Sequence, residues 1–295
     1  MREIPVILNG GSGAGQTSEE LERLRAAFGE AGLQACFQTF RPGDDPRELT
    51  RRALESRPRV IVAAGGDGTV SAVADVVRGS AAALGVVPVG TLNHFAKDLG
   101  IPLDPVQAAQ LIGKGRPIGV DVGEVNGRAF VNNASLGLYP KIVRERSRQQ
   151  RRFGRSKRSA MLWATLDVLD RSRLLDLRLE LDDEVRHCRA PFVFVGNNNY
   201  TLEGFNIGTR AKLDQGRLTV YTTRRSSAGG LARLALRALF GRLRQADDFM
   251  ESSVRSLQVE SRRRRLLVAL DGEVHAMETP LEFRILPRAL QVIVP

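Results

Sequence analysis

Aromatic side chains make up only 5% of the 295 residues, with a single tryptophan, so rows of rings for stacking bases are missing. A nucleic-acid partner is not expected. Cysteine is scarcer still: Cys36 and Cys188 lie far apart, each inside an apolar, strand-like run. Both read as buried thiols of a reducing compartment rather than as a disulfide. Long apolar runs are missing too, since no stretch approaches the roughly 20 residues of a bilayer-spanning helix. Near the N-terminus, Val6-Ile7-Leu8 breaks at Asn9-Gly10-Gly11, too soon for a secretory leader. The expected location is the cytoplasm, with membrane contact only peripheral.

Positive charge and glycine are plentiful. Lys and Arg outnumber Asp and Glu by 44 to 33, a net +11, which favours an anionic partner, whether nucleotide, acidic membrane surface or nucleic acid, without choosing among them. The length fits about two domains, and 42% hydrophobic residues can fill a core in each.

The chain is organised around Val60 to Val77. An apolar run ends at Gly65-Gly66-Asp67-Gly68-Thr69-Val70-Ser71, and Val70, Val73 and Val77 then recur at helical spacing. A strand, a Gly-rich turn and a helix are expected. Glycine lets a backbone take positive φ or approach another group closely, so successive N–H groups and the helix N-terminus can hold a phosphate. A carboxylate such as Asp67 belongs beside phosphates mainly when Mg²⁺ lies between them. The plain alternative is a tight βα turn with a surface aspartate.

Around this stretch, strand and helix patterns alternate up to Gly113, with capping-box spacing at Thr17 and Glu20. The pattern changes near Val120, where Asn126-Gly127 sits between two apolar runs as a hairpin turn. We therefore expect an α/β fold in two parts. Residues 1–119 form a three-layer α/β nucleotide-binding domain, residues 120–295 form a β-rich, antiparallel, sandwich-like domain, and a cleft separates them. Leu281 to Val294 reads as two strands, the last returning to the first domain.

Gly65-Gly66-Asp67-Gly68-Thr69 resembles the nucleotide-binding signature of the diacylglycerol kinase catalytic domain, found in soluble bacterial lipid kinases and in sphingosine and ceramide kinases. NAD kinases share this motif. Gly90-Thr91-Leu92-Asn93-His94-Phe95-Ala96, followed by Leu99-Gly100-Ile101-Pro102, resembles the lipid-kinase form of the next motif, with His94 in place of the usual aspartate. Asn9, Ser12 and Gly13 match the opening loop, and Thr39 falls where the family places a nucleotide-contacting threonine.

The resemblance implies an ATP- and Mg²⁺-dependent lipid kinase of lipid metabolism and phospholipid biosynthesis. Asn9, Ser12, Gly13, Thr39, Gly65 to Ser71 (Val70 included), Thr91 and Asn93 would hold ATP, and Asp67 would act through Mg²⁺. Asp271-Gly272-Glu273 matches the family's Asp-Gly-Glu: Asp271 would accept the lipid hydroxyl proton, and Glu273 would orient Asp271 or a cation. Asp121 matches an aspartate near the cleft, with an arginine partner as its structural alternative. Ala211-Lys212-Leu213-Asp214-Gln215-Gly216 resembles a structural Mg²⁺ segment, but Gln215 stands where the metal carboxylate belongs. A neutral amide is a weak ligand for a hard cation, so Lys212, Asp214 and Gln215 make a weak or empty site.

Arg144 to Arg158 is a basic run beside the amphipathic pattern Met161, Leu162, Leu166 and Leu169, and Leu231 to Leu243 is a second basic, apolar segment. These suit docking to an anionic membrane that presents the lipid substrate, with a solvated or nucleic-acid-binding face as the plain alternative and, for the second segment, a cover for the sheet. The alternatives are a kinase of a soluble alcohol, as in NAD kinases, and a membrane-associated lipid-binding protein whose kinase activity has decayed. A homodimer is left open.

Overall fold

The computed structural model describes residues 2–10, 17–41, 43–137, 140, 174–203, 206–223 and 249–295. Ser12 and Gly13, both basic segments and the 161–169 pattern lie outside the described residues.

Strands β1 (Arg2–Asn9), β2 (Leu33–Phe40), β3 (Val60–Gly65) and β4 (Ala83–Pro88) form a parallel sheet in the order β2-β1-β3-β4. Helices α1 (Ser18–Glu30), α2 (Pro46–Glu55), α3 (Asp67–Val77), α4 (His94–Asp98) and α5 (Pro105–Lys114) connect and follow them. Helix α1 packs on α5 and α2 packs on α3. These helix pairs and the sheet make three layers. All six positions of β4, and all of β3 but its first, are buried, which is why both read as unbroken apolar runs. At the head of α1 the Thr17–Glu20 capping box forms as the spacing requires.

The remaining strands are β5 (Arg116–Val125), β6 (Arg128–Phe130), β7 (Asn133–Gly137), β8 (Leu175–Leu181), β9 (Glu184–Ala190), β10 (Phe192–Asn197), β11 (Thr201–Glu203), β12 (Asn206–Thr209), β13 (Leu218–Thr223), β14 (Phe249–Val254), β15 (Ser256–Ser261), β16 (Arg265–Leu270), β17 (Glu273–Glu278) and β18 (Leu281–Val294). The β5–β6 hairpin turns at Asn126 (φ 46) and Gly127 (φ 81), the two left-handed residues a two-residue turn demands. Strands β14-β13-β10-β7-β16-β17 form an antiparallel sheet, and β18-β15-β8-β9 continue the first sheet. Between them a shared core holds Phe130, Leu136, Leu177, Val195, Val268 and Phe283.

The C-terminal tail differs from expectation. It is one 14-residue strand with an irregularity between Leu286 and Leu290 rather than two strands. Pro287 cannot donate to the ladder and Arg288 has φ 49, so the interruption is absorbed as a bulge. Strand β18 pairs with β15 and β5 and meets β4 at Val292–Leu84, joining both halves through one sheet.

The cysteines also depart from the reading as buried thiols. Both are free, but Cys36 is exposed and Cys188 half-buried. Side chains alternate across a strand. Ala35 is buried and Phe37 packs edge-on against Phe28 of α1, so Cys36 faces away on the edge strand β2.

Candidate active site

Helix α3 begins at Asp67, earlier than a turn of three glycines implies: Gly65 ends β3, Gly66 is the N-cap and Gly68 lies in the first helical turn. None of the three has positive φ. They are required for close approach instead. A Cβ on Gly65 would collide with the Thr69 side chain, and one on Gly90 would collide with the Gly66 Cα. A Cβ on Gly68 would stand 3.1 Å from Glu273 Oε1.

Helices α1, α2 and α5 are closed by the side chains of Thr17, Asp45 and Asp104, but α3 has no side-chain cap. Its first-turn N–H groups are left for a ligand, with the positive end of the helix behind them. Asn9 Nδ2 donates to Thr69 Oγ1 at 3.4 Å, which brings the end of β1 to this turn. Thr39 lies one residue before the end of β2, in register with Leu8. Thr69, Val70 and Ser71 are buried, and the Val70 N–H donates to Gly66 O at 3.1 Å. Asp67 Oδ1 accepts from Phe95 N at 3.3 Å and so steadies α4. Its Oδ2 has no hydrogen-bond partner among the described residues. Thr91 is exposed, while Asn93 is buried in a left-handed conformation and donates to Gly90 O at 2.9 Å.

On the other side of the cleft, Asp271 sits in the β16–β17 turn with φ 47. Its Oδ2 accepts from Val131 N at 2.8 Å, and its Oδ1 accepts from Asn132 N at 2.8 Å and Asn133 N at 2.9 Å. The Ser71 side chain of α3 faces this carboxylate and favours its charged form. Burial pushes the Asp271 carboxyl up, with Ser71 and the three N–H groups pulling against it. Burial likewise raises Glu273, with Arg47 opposing. The two carboxylates expected from the Asp-Gly-Glu segment therefore face the Gly-rich helix, through Ser71 and Gly68.

Residues 3–125 match the diacylglycerol kinase catalytic domain, and residues 139–294, more than half the chain, match the YegS C-terminal NAD kinase beta sandwich-like domain. The chain belongs to the diacylglycerol kinase family. It is 29% identical over 297 residues to the diacylglycerol kinases of Staphylococcus aureus strains RF122 / ET3-1 and MRSA252, covering 98% of this chain and 91% of each relative. A solved diacylglycerol kinase structure from Bacillus anthracis str. Sterne superposes with a TM-score of 0.71 at 21% identity, covering all of this chain and 97% of that one. At that identity the likeness speaks for the fold. The family makes this protein a lipid kinase, a class that uses ATP and a divalent metal.

Within this kinase, Asp121 is a structural ligand of backbone groups. It is buried, its Oδ2 accepts from Gly216 N at 2.6 Å, and its Oδ1 accepts from Arg288 N at 2.8 Å. Neither bond is the arginine side-chain pair considered from sequence. Lys212, Asp214 and Gln215 are exposed, and Gln215 Oε1 accepts from Asn199 N at 3.2 Å. No three His, Cys, Asp or Glu side chains cluster as a metal site among the described residues. This donor set does not fit a structural Mg²⁺.

Sequence reasoning missed Arg210, which is fully buried and pairs with Asp98 of α4 at 2.7 Å. A lone arginine in a polar connection carries no local signal, because its partners come from three other segments. Arg47, Arg128 and His275, which surround Glu273, were missed for the same reason.

Proposed function

We propose that this kinase transfers the γ-phosphoryl group of ATP to the hydroxyl of a diacylglycerol-like or long-chain-base lipid, with Asp271 as the proton acceptor. The observation that supports it most is that Glu273, two residues from Asp271, stands against Gly68 of the Gly-rich helix, where an added Cβ would lie 3.1 Å from its Oε1, so the nucleotide helix and the turn that carries the base adjoin.

The uncapped N-terminus of α3 and the Asn9 to Thr69 corner would hold the phosphates. Asp67, through the carboxylate oxygen not used by Phe95 N, would hold Mg²⁺, which would supply charge neutralisation on the transferring group. Asp271, fixed by three N–H donors, takes the hydroxyl proton as the new O–P bond forms and ADP departs. Glu273, whose own carboxyl Asp271 helps to raise, would orient Asp271 or a cation. No step is assigned to a metal at Gln215. The site works at an anionic membrane surface, a reading supported by the +11 charge. No helix among the described residues is long and apolar enough to cross a bilayer.

The test is transfer of labelled γ-phosphate to diacylglycerol, monoacylglycerol, sphingosine, ceramide and phosphatidylglycerol in mixed micelles with Mg²⁺, with Asp271→Asn beside the wild type. A labelled lipid that vanishes with Asp271→Asn, while ATP still binds, supports the reading. Turnover that survives Asp271→Asn removes Asp271 as base. Bound ATP with no labelled lipid points to a soluble acceptor or a binding protein.

A further inference from the structure

The guanidinium of Arg210 uses its donors on three segments. Nε donates to Asp98 Oδ2 at 2.7 Å. Nη1 donates to Val131 O at 2.6 Å and to Asn197 O at 3.2 Å. Nη2 donates to Asn132 Oδ1 at 2.7 Å. Its Cζ lies 5.2 Å from the centre of the buried Tyr200 ring.

Two of these contacts fall on the residues that hold Asp271. Val131 and Asn132 turn their carbonyl and side chain to Arg210 while their own N–H groups point at the Asp271 carboxylate. The Nε contact reaches the far end of α4, the helix whose first turn is tied to Asp67 through Phe95 N. One side chain therefore spans from α4 to the Asp271 cradle. An isolated buried ion pair is weak evidence of stabilisation, and a forked geometry that only a guanidinium can satisfy points to placement.

We propose that Arg210 is a positioning residue for phosphoryl transfer: it holds the Val131–Asn133 cradle in register with α4, so that Asp271 meets the acceptor hydroxyl at the nucleotide. The inference rests on Asp271 being the base. A cradle that shifts by a fraction of an ångström costs turnover without touching the phosphate-binding helix. The effect therefore falls on kcat and spares the KM for ATP.

Arg210→Lys keeps the charge and its pairing with Asp98 but loses the fork. With diacylglycerol micelles and Mg²⁺ as the probe, its kcat is expected to fall about tenfold while the KM for ATP stays within about twofold. Hydrogen exchange followed by mass spectrometry is expected to quicken in the 129–137 peptide. Asn132→Ala removes one acceptor and leaves the buried arginine in place, so it moves both readouts the same way, by about threefold in kcat, and decides the matter if Arg210→Lys does not fold. Wild-type kcat and unaltered exchange in the folded variant, beside an inactive Asp271→Asn, overturn the proposal. An active Asp271→Asn removes the base reading, and this inference falls with it.

Discussion

Glu273 Oε1 stands directly opposite Gly68, where an added Cβ would lie 3.1 Å from that oxygen. The neighbour is the end of a side chain and can swing aside. Gly68→Ala is therefore expected to keep the fold and raise the KM for ATP a few-fold. A Cβ at Gly90 meets backbone instead, the Gly66 Cα, and also the Asn93 side chain. Gly90→Ala should cost about 2 kcal/mol of stability and abolish ATP binding. Urea unfolding and ATP titration calorimetry check the pair, and equal effects would contradict this contact geometry.

Asp67 holds α4 through Phe95 N. An asparagine keeps an acceptor oxygen for that bond but not the charge. Asp67→Asn should unfold within about 3 °C of the wild type, yet need at least tenfold more Mg²⁺ for half-maximal turnover. A large loss of thermal stability would show that its charge matters to the fold as well.

Burial depresses His275, with Arg128 and Arg47 adding to the effect and Asp75 opposing. Its imidazole is neutral in the fold, while the unfolded chain protonates near pH 6.5. The unfolded state thus binds more protons just below that pH, so stability is complete above it and falls as pH drops toward the lower folded value. His275→Gln should lose less stability than the wild type between pH 8 and pH 5.5. Urea midpoints at the two pH values read the difference, and parallel losses would exclude this histidine as the cause.

The excess of basic residues predicts salt-sensitive membrane binding. Cosedimentation with phosphatidylglycerol-containing vesicles should exceed that with neutral vesicles and collapse near 0.5 M salt, an ionic strength of about that size screening charges within a few ångströms. Equal binding to both vesicles would remove the electrostatic docking.

Much of the fold was legible because its signals are local. The apolar runs of β3 and β4, the Thr17–Glu20 capping box and the Asn126-Gly127 turn each act within a few residues, and each forms as written. Glycine at 65, 66 and 68 was legible as a need, but its reason was not. The need is steric closeness to Thr69, Gly90 and Glu273, which no window of sequence contains. Gly90 and Glu273 come from other motifs, brought in by the fold.

The sequence by itself determined the layered α/β half, the antiparallel half and the order of the motifs, because period, capping and turn chemistry are properties of neighbouring residues. The tertiary structure alone decided which groups meet. Strand β18 bulges at Pro287 and joins the two halves. Ser71 reaches Asp271 across about 200 residues of chain. Arg210 loses its hydration only because Asp98, Val131, Asn132 and Asn197 converge to replace it. A buried charge persists where such partners are assembled, and they are assembled by packing between segments that the sequence keeps apart.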